Sequence, residues 1–211
     1  MTIEKKISDL IPLFNNKQFE RLIFEIESNF DDKDINSKVL LILGLARMSS
    51  RGRSHKDVLL ATQNFKDGYI LDKKSKIGLE CLVYYLYGVS EKAKQEKSLS
   101  LDEYEEIKKF FLEAKSVFNY NEKLYHAISL LNLKTTNVEF RQNVLKELID
   151  KDFYKEKTLV FEYIYNNNLR YNWTQKDFFN FTNKIKEKLQ IINLPKIEEI
   201  KKKKIKIGFL S

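Results

Sequence analysis

Apolar residues recur at intervals of three and four along most of this chain, and polar clusters interrupt them. Phe19, Leu22, Ile23, Ile26 and Phe30 form one such face, the spacing of an amphipathic helix. The same pattern predicts helices over 39–46, 58–71, 79–88, 104–118, 124–133 and 138–149. Turns are predicted at Asn15-Asn16, 31–34, 49–54, 72–75 and 96–100, where polar residues gather. Ser100 and Asp102 stand where a helix start needs an N-cap, with Glu103 and Glu105 in its first turn. Short helices joined by short polar turns imply antiparallel hairpins, so the expected fold class is all-α.

The texture changes after Tyr163. An asparagine cluster precedes Thr174, an N-cap candidate with Asp177 three residues on, the spacing of a capping box. Phe178, Phe179, Phe181, Ile185 and Leu189 then predict one more amphipathic helix. Beyond it a lysine-rich linker holds Pro195, and the chain ends in "KIKIGFLS". There Ile205, Ile207 and Phe209 alternate with Lys204, Lys206 and Gly208, the period of a strand.

Two of the predicted hairpins carry matching triads. Leu40, Leu43 and Gly44 in one leading helix match Tyr84, Tyr87 and Gly88, 44 residues later. Ala61, Phe65 and Gly68 in the following helix match Ile107, Phe111 and Ala114, 46 residues later. "LLILG" (40–44) and "ATQNFKDG" (61–68), with "YYLYG" (84–88) and "IKKFFLEA" (107–114), resemble the tetratricopeptide repeat (TPR). That resemblance implies a superhelix of helical hairpins, with small residues where backbones approach and aromatics filling the grooves. The standard unit is ~34 residues, so each unit here has a surplus. It falls in "SSRGRSHK" (49–56) and "EKAKQEKSLSL" (91–101), and the helix-ending proline of the motif is absent. Irregular repeats over residues 3–150 are therefore expected.

The order of parts at the end of the chain carries a second resemblance. Helical repeats, the helix start "TQKDFF" (174–179), a basic linker and "KIKIGFLS" (204–211) are similar to one junction in the O-linked N-acetylglucosaminyltransferase and SPINDLY-like family. There, TPRs lead into the first strand of a glycosyltransferase domain. The resemblance implies TPR-like repeats over 1–160, capping helices over 161–192, and a linker with one residual strand over 193–211. It also implies that the residues transferring a sugar from a UDP-sugar to protein Ser or Thr lie beyond Ser211. No activity is then expected of this chain alone. A stand-alone adaptor with the same helical scaffold is the alternative reading.

Composition changes little of this. Six glycines and two prolines are too few for the tight turns of a sandwich or barrel. The net charge is +8, yet of 38 basic residues only Arg21, Arg47, Arg51, Arg53, Arg141 and Arg170 are arginine. Residues that read phosphates and bases lean on arginine's planar fork, so a lysine excess does not favour nucleic acid as the partner. There is no apolar run of membrane-spanning length and no signal-peptide core, and the single cysteine suits a reducing cytoplasm.

No catalytic constellation, cofactor motif or metal-ligand spacing stands out. His55 and His126 fall on different hairpins, and Cys81 sits on an apolar face as a small hydrophobe would. Asp31-Asp32 and Glu105-Glu106 fit helix starts better than an acid–base dyad. "RGR" at 51–53 is the densest arginine spot and reads as a solvated loop before it reads as a phosphate contact. Tyr84, Tyr85, Tyr87, Phe110 and Phe111 have the spacing of core packing. Protein or peptide segments bound on a concave helical surface are the expected partners. The solvent-facing residues of the helices around 37–47, 79–89 and 122–133 are the candidate contacts.

Overall fold

Helices form where the pattern places them, and the polar clusters end them. A computed structural model describes residues 2–96, 99–131, 138–151, 160, 163–164 and 174–188. The described residues hold nine α-helices and no strand. In chain order they are α1 Ile3–Asn15, α2 Phe19–Asn29, α3 Ser37–Ser49, α4 His55–Leu71, α5 Lys76–Glu96, α6 Leu101–Phe118, α7 Glu122–Ser129, α8 Val138–Asp150 and α9 Gln175–Lys188. The chain divides into two units, 1–151 and 152–211. The linker and terminal strand expected over 193–211 lie outside the described residues.

Local chemistry explains the boundaries. Asn36 caps α3 by accepting from the backbone N–H groups of Lys38 and Val39. At α6 the expected box is present: Ser100 Oγ accepts from Glu103 N–H at 3.2 Å, and Glu103 Oε2 accepts from Ser100 N–H at 3.1 Å. Ser54 and Asp57 build the same box at α4, and each satisfies helix-end donors that would otherwise go unpaired.

Two elements depart from the pattern. To α1 the reading of apolar faces assigned no helix, although Ile3, Ile7, Leu10 and Phe14 have the spacing. Ile7 and Leu10 are buried with Leu22 and Ile26 of α2 and Val39, Leu43 and Ala46 of α3. The second departure is α5, which runs through 91–96 where the sequence suggested loop. Glu, Lys, Ala and Gln are all strong helix formers, and the extension is held by ion pairs of Lys92 with Glu103 and of Arg53 with Glu91.

Within the first unit the helices fall into two rows. Lys66 and Lys73 of α4 pair with Glu106 and Glu113 of α6, each at 2.7 Å. Both pairs are 40 residues apart, so α4 and α6 lie parallel and in register for two turns. Lys115 of α6 continues the row to Glu147 of α8, also at 2.7 Å. In the other row Cys81 of α5 approaches the Ser37 carbonyl of α3 at 3.5 Å. Tyr87 and Ser90 of α5 meet His126 Nδ1 and the Leu130 carbonyl at 3.4 Å each.

The rows are zipped most tightly where α4 meets α5. Phe65 stacks on Tyr84 with ring centroids 5.4 Å apart. A Cβ on Gly68 would lie 2.7 Å from Cys81 Sγ, and one on Gly88 would overlap Thr62 Oγ1. The pairs 62/88, 65/84 and 68/81 step in opposite directions along two antiparallel helices. The two matched glycines thus do different work. Gly44 makes room for the Phe65 ring inside its own hairpin, whereas Gly88 closes on the helix before it rather than on α6.

Candidate protein-binding surface

The leading helices around 37–47, 79–89 and 122–133 present less surface than their patterns suggest. In α3 only Lys38 and Ser49 are exposed, with Ile42, Leu45, Arg47 and Met48 half-buried. In α5 the exposed members over 79–89 are Glu80 and Tyr84. Around α7 they are Glu122, Lys123 and Leu130. These helices are covered because α4 packs against α3 and α5, and α5 and α8 pack against α7.

Two grooves open beside the first turns of α5. One, of about 720 Å³, has α1, the start of α3 and the α4–α5 turn as its walls. Ile3, Ile7 and Ile11, spaced four apart, line it together with Ile35, Leu71 and Ile77, and Glu4, Lys38 and Asp72 complete the charged part of the lining. Ile11 is 46% exposed and Leu71 59%, unusual for large apolar residues in a well-packed unit. The other groove, of about 520 Å³, lies between α5 and the start of α7 and has Leu79, Val83 and Phe118 among Lys76, Glu80, Glu122 and Lys123. Each combines apolar side chains with charges of both signs.

The titratable groups singled out by type are otherwise spent on structure. Cys81 is fully buried, and burial pushes its thiol up to about 12, which leaves it protonated and unreactive. His126 is half-buried against Tyr87, while His55 is exposed at the start of α4. Asp34 of the turn after α2 receives Lys6 Nζ at 2.5 Å and Asp31 N–H at 3.2 Å. Glu106 accepts from Tyr85 Oη at 3.0 Å while paired with Lys66. Tyr85 and Phe110 pack in the core with Tyr69. Among the described residues no cluster of His, Cys, Asp and Glu could hold a metal ion, and no helix is long and apolar enough to cross a membrane.

A polar node recurs that sequence reasoning missed. Tyr85 of α5 donates to Glu106 of α6, which also holds Lys66 of α4. Tyr125 of α7 donates to Glu147 of α8 at 2.7 Å, which also holds Lys115 of α6. The tyrosines are 40 residues apart and the glutamates 41, shorter than the 44 and 46 of the apolar triads. Tyr, Glu and Lys are common on helix surfaces, so only their spatial convergence marks the node.

The second node has a pH consequence. Burial alone would raise the Glu147 carboxyl, but hydrogen bonds from Lys115 and Tyr125 outweigh it and hold it below its ordinary value of 4.5. A carboxyl depressed on folding stabilises fully above its ordinary value and loses that contribution as pH falls through the folded one. Glu147→Gln should therefore cost about 1 kcal/mol at pH 7. The variant should also show a shallower loss of stability than the wild type as pH falls below 4.5. Urea midpoints from about pH 2.5 to about pH 7, a range that brackets ordinary carboxylate titration, measure both; parallel curves would show that the node is not coupled to folding. The Glu147 side chain is 45% exposed, so solvent screening keeps the ion pair's own share small.

No protein-family model, curated protein or solved structure matches the chain.

Proposed function

We propose that this chain is a TPR-like protein-interaction region that binds peptide segments of partner proteins in the grooves beside α5. The observation that carries this reading is the apolar stripe of Ile3, Ile7 and Ile11, which lines an open groove together with Leu71 and Ile77. The parallel, in-register rows of α4 with α6 support a hairpin superhelix, since stacked hairpins place every second helix side by side. Such scaffolds act by presenting a preformed surface, so ordering cost falls on the peptide alone.

Within this reading the chain is the non-catalytic recognition part of a protein O-glycosyltransferase. The resemblance of "TQKDFF" (174–179) carries this part of the reading, and there Thr174 caps α9, with its Oγ1 accepting from Asp177 N–H at 3.2 Å and Asp177 Oδ2 accepting from Thr174 N–H at 2.9 Å. Peptides selected from a displayed random library against the full chain should bind the wild type. They should lose at least about tenfold in affinity with Ile11→Asp or Leu71→Asp, since a buried unpaired charge opposes docking. Equal binding by both variants, at unchanged melting temperature, would remove the groove from the proposal. Hydrolysis or transfer of a UDP-sugar by the chain alone would contradict its non-catalytic role.

A further inference from the structure

The turn joining α1 to α2 and the loop joining α3 to α4 line an open cavity of about 820 Å³. Its lining includes Lys17, Arg21 and Arg51, with Glu20 as the one carboxylate. The arginines elsewhere in the described structure are occupied. Arg47 pairs with Glu27, Arg53 donates to the Met48 carbonyl at 3.0 Å, and Arg141 donates to the Ser129 carbonyl. Arg21 and Arg51 have no ion pair or side-chain hydrogen bond among the described residues, and neither does Lys17. Arg21 also borders a smaller cavity beside Asp9 and Glu25 and pairs with neither. Two unspent guanidinium forks and an ammonium therefore belong to the lining of one concavity, and its own carboxylate pairs with none of them.

We propose that this cavity docks an acidic peptide segment of a partner protein, its carboxylate or phosphate oxygens gripped by Arg21 and Arg51 with Lys17 adding a third positive charge. The proposal rests on the protein-interaction reading and adds a second contact chemically unlike the apolar grooves. Charge complementarity selects the occupant. Guanidinium forks bind oxyanions bidentately, with both geometry and charge matched. A nucleic acid needs a longer run of cations along its backbone, and here Glu20, Asp9 and Glu25 interrupt the basic surface. "RGR" at 51–53, read from sequence as a loop, contributes Arg51 to the cavity while Arg53 turns back to secure the loop.

Fluorescence anisotropy on the full chain tests this with four labelled probes: an Asp/Glu decapeptide, a phosphoserine peptide in a Ser/Gly background, the same peptide unphosphorylated, and a single-stranded oligothymidine. One or both acidic peptides should bind, the stronger identifying the oxyanion, and the neutral peptide should not. Arg21→Gln with Arg51→Gln should weaken that binding at least about tenfold. Lys74→Gln with Lys109→Gln removes as much charge outside the cavity and should change it less than about twofold. Equal losses in the two double variants, no loss in the first, or oligothymidine binding as tightly through the same arginines would each overturn the proposal. If library-selected peptides still bind while acidic ones do not, this site alone falls; if neither binds, the interaction reading falls with it.

Discussion

Replacing Phe65 with alanine should lower the unfolding free energy by about 3–5 kcal/mol, the range for emptying a buried aromatic site. Phe65 is 1% exposed and is held between Gly44 of α3 and the Tyr84 ring of α5, so its loss opens both contacts at once. Gly44→Ala should also destabilise. Its added methyl would overlap the Phe65 ring, and a ring that is buried and stacked on Tyr84 has little room to move. Overpacking of this kind costs about 1–3 kcal/mol, more than the gain of about 1 kcal/mol that alanine brings to a helix. The double variant decides the mechanism. With the ring gone the methyl has space, so the two losses should fall short of additive by about 0.5–3 kcal/mol. Urea unfolding of all four proteins gives the cycle, and strict additivity would show that Gly44 is not there to admit Phe65.

Arg141→Met should cost about 2–3 kcal/mol, because the side chain makes charge-assisted hydrogen bonds from a buried position. Arg141 is 7% exposed, and its Nε and Nη2 donate to the Ser129 carbonyl at 3.1 and 2.6 Å. Ser129 ends α7, a helix of only eight residues, whose last carbonyls have no partner within the helix. A cation there also suits the negative end of the helix dipole. Methionine keeps much of the volume but leaves the carbonyl buried and unsatisfied. Arg141→Lys should recover part of the loss, since it keeps the charge and gives up the fork. A change below about 0.5 kcal/mol in the methionine variant, within the scatter of ordinary surface substitutions, would show that water or another donor replaces the contact.

Both residues bear on how the proposed surface is built. Phe65 sets the spacing of α3 and α5, which meet at the floor of the larger groove through Ser37, Lys38 and Ile77. Arg141 fixes the end of α7, whose first turn forms one wall of the smaller groove through Glu122 and Lys123. Loss of peptide binding in either variant would thus follow from shifted walls rather than from removed contacts. The aspartate substitutions at Ile11 and Leu71 separate the two causes.

Local order was legible in the sequence because it depends on neighbours within about four positions. The period of three and four marked α2 to α9, and the capping residues Ser100 and Thr174 act in the structure as their spacing requires. Even the misread stretches follow local rules. Ile3, Ile7, Leu10 and Phe14 held the signal for α1, and the Glu, Lys, Ala and Gln of 91–96 held the signal for the extension of α5. The all-α class follows from these alone. Tertiary structure decided the rest, because it joins residues from 22 to 44 positions apart that no local pattern links. It turned Gly88 toward Thr62 instead of α6. It also closed Tyr125, Glu147 and Lys115 into one node and spent Arg53 while leaving Arg51 beside Arg21 and Lys17. Periodicity determines which side of a helix seeks cover; only the packing of the rows decides which neighbour covers it and which charges stay open.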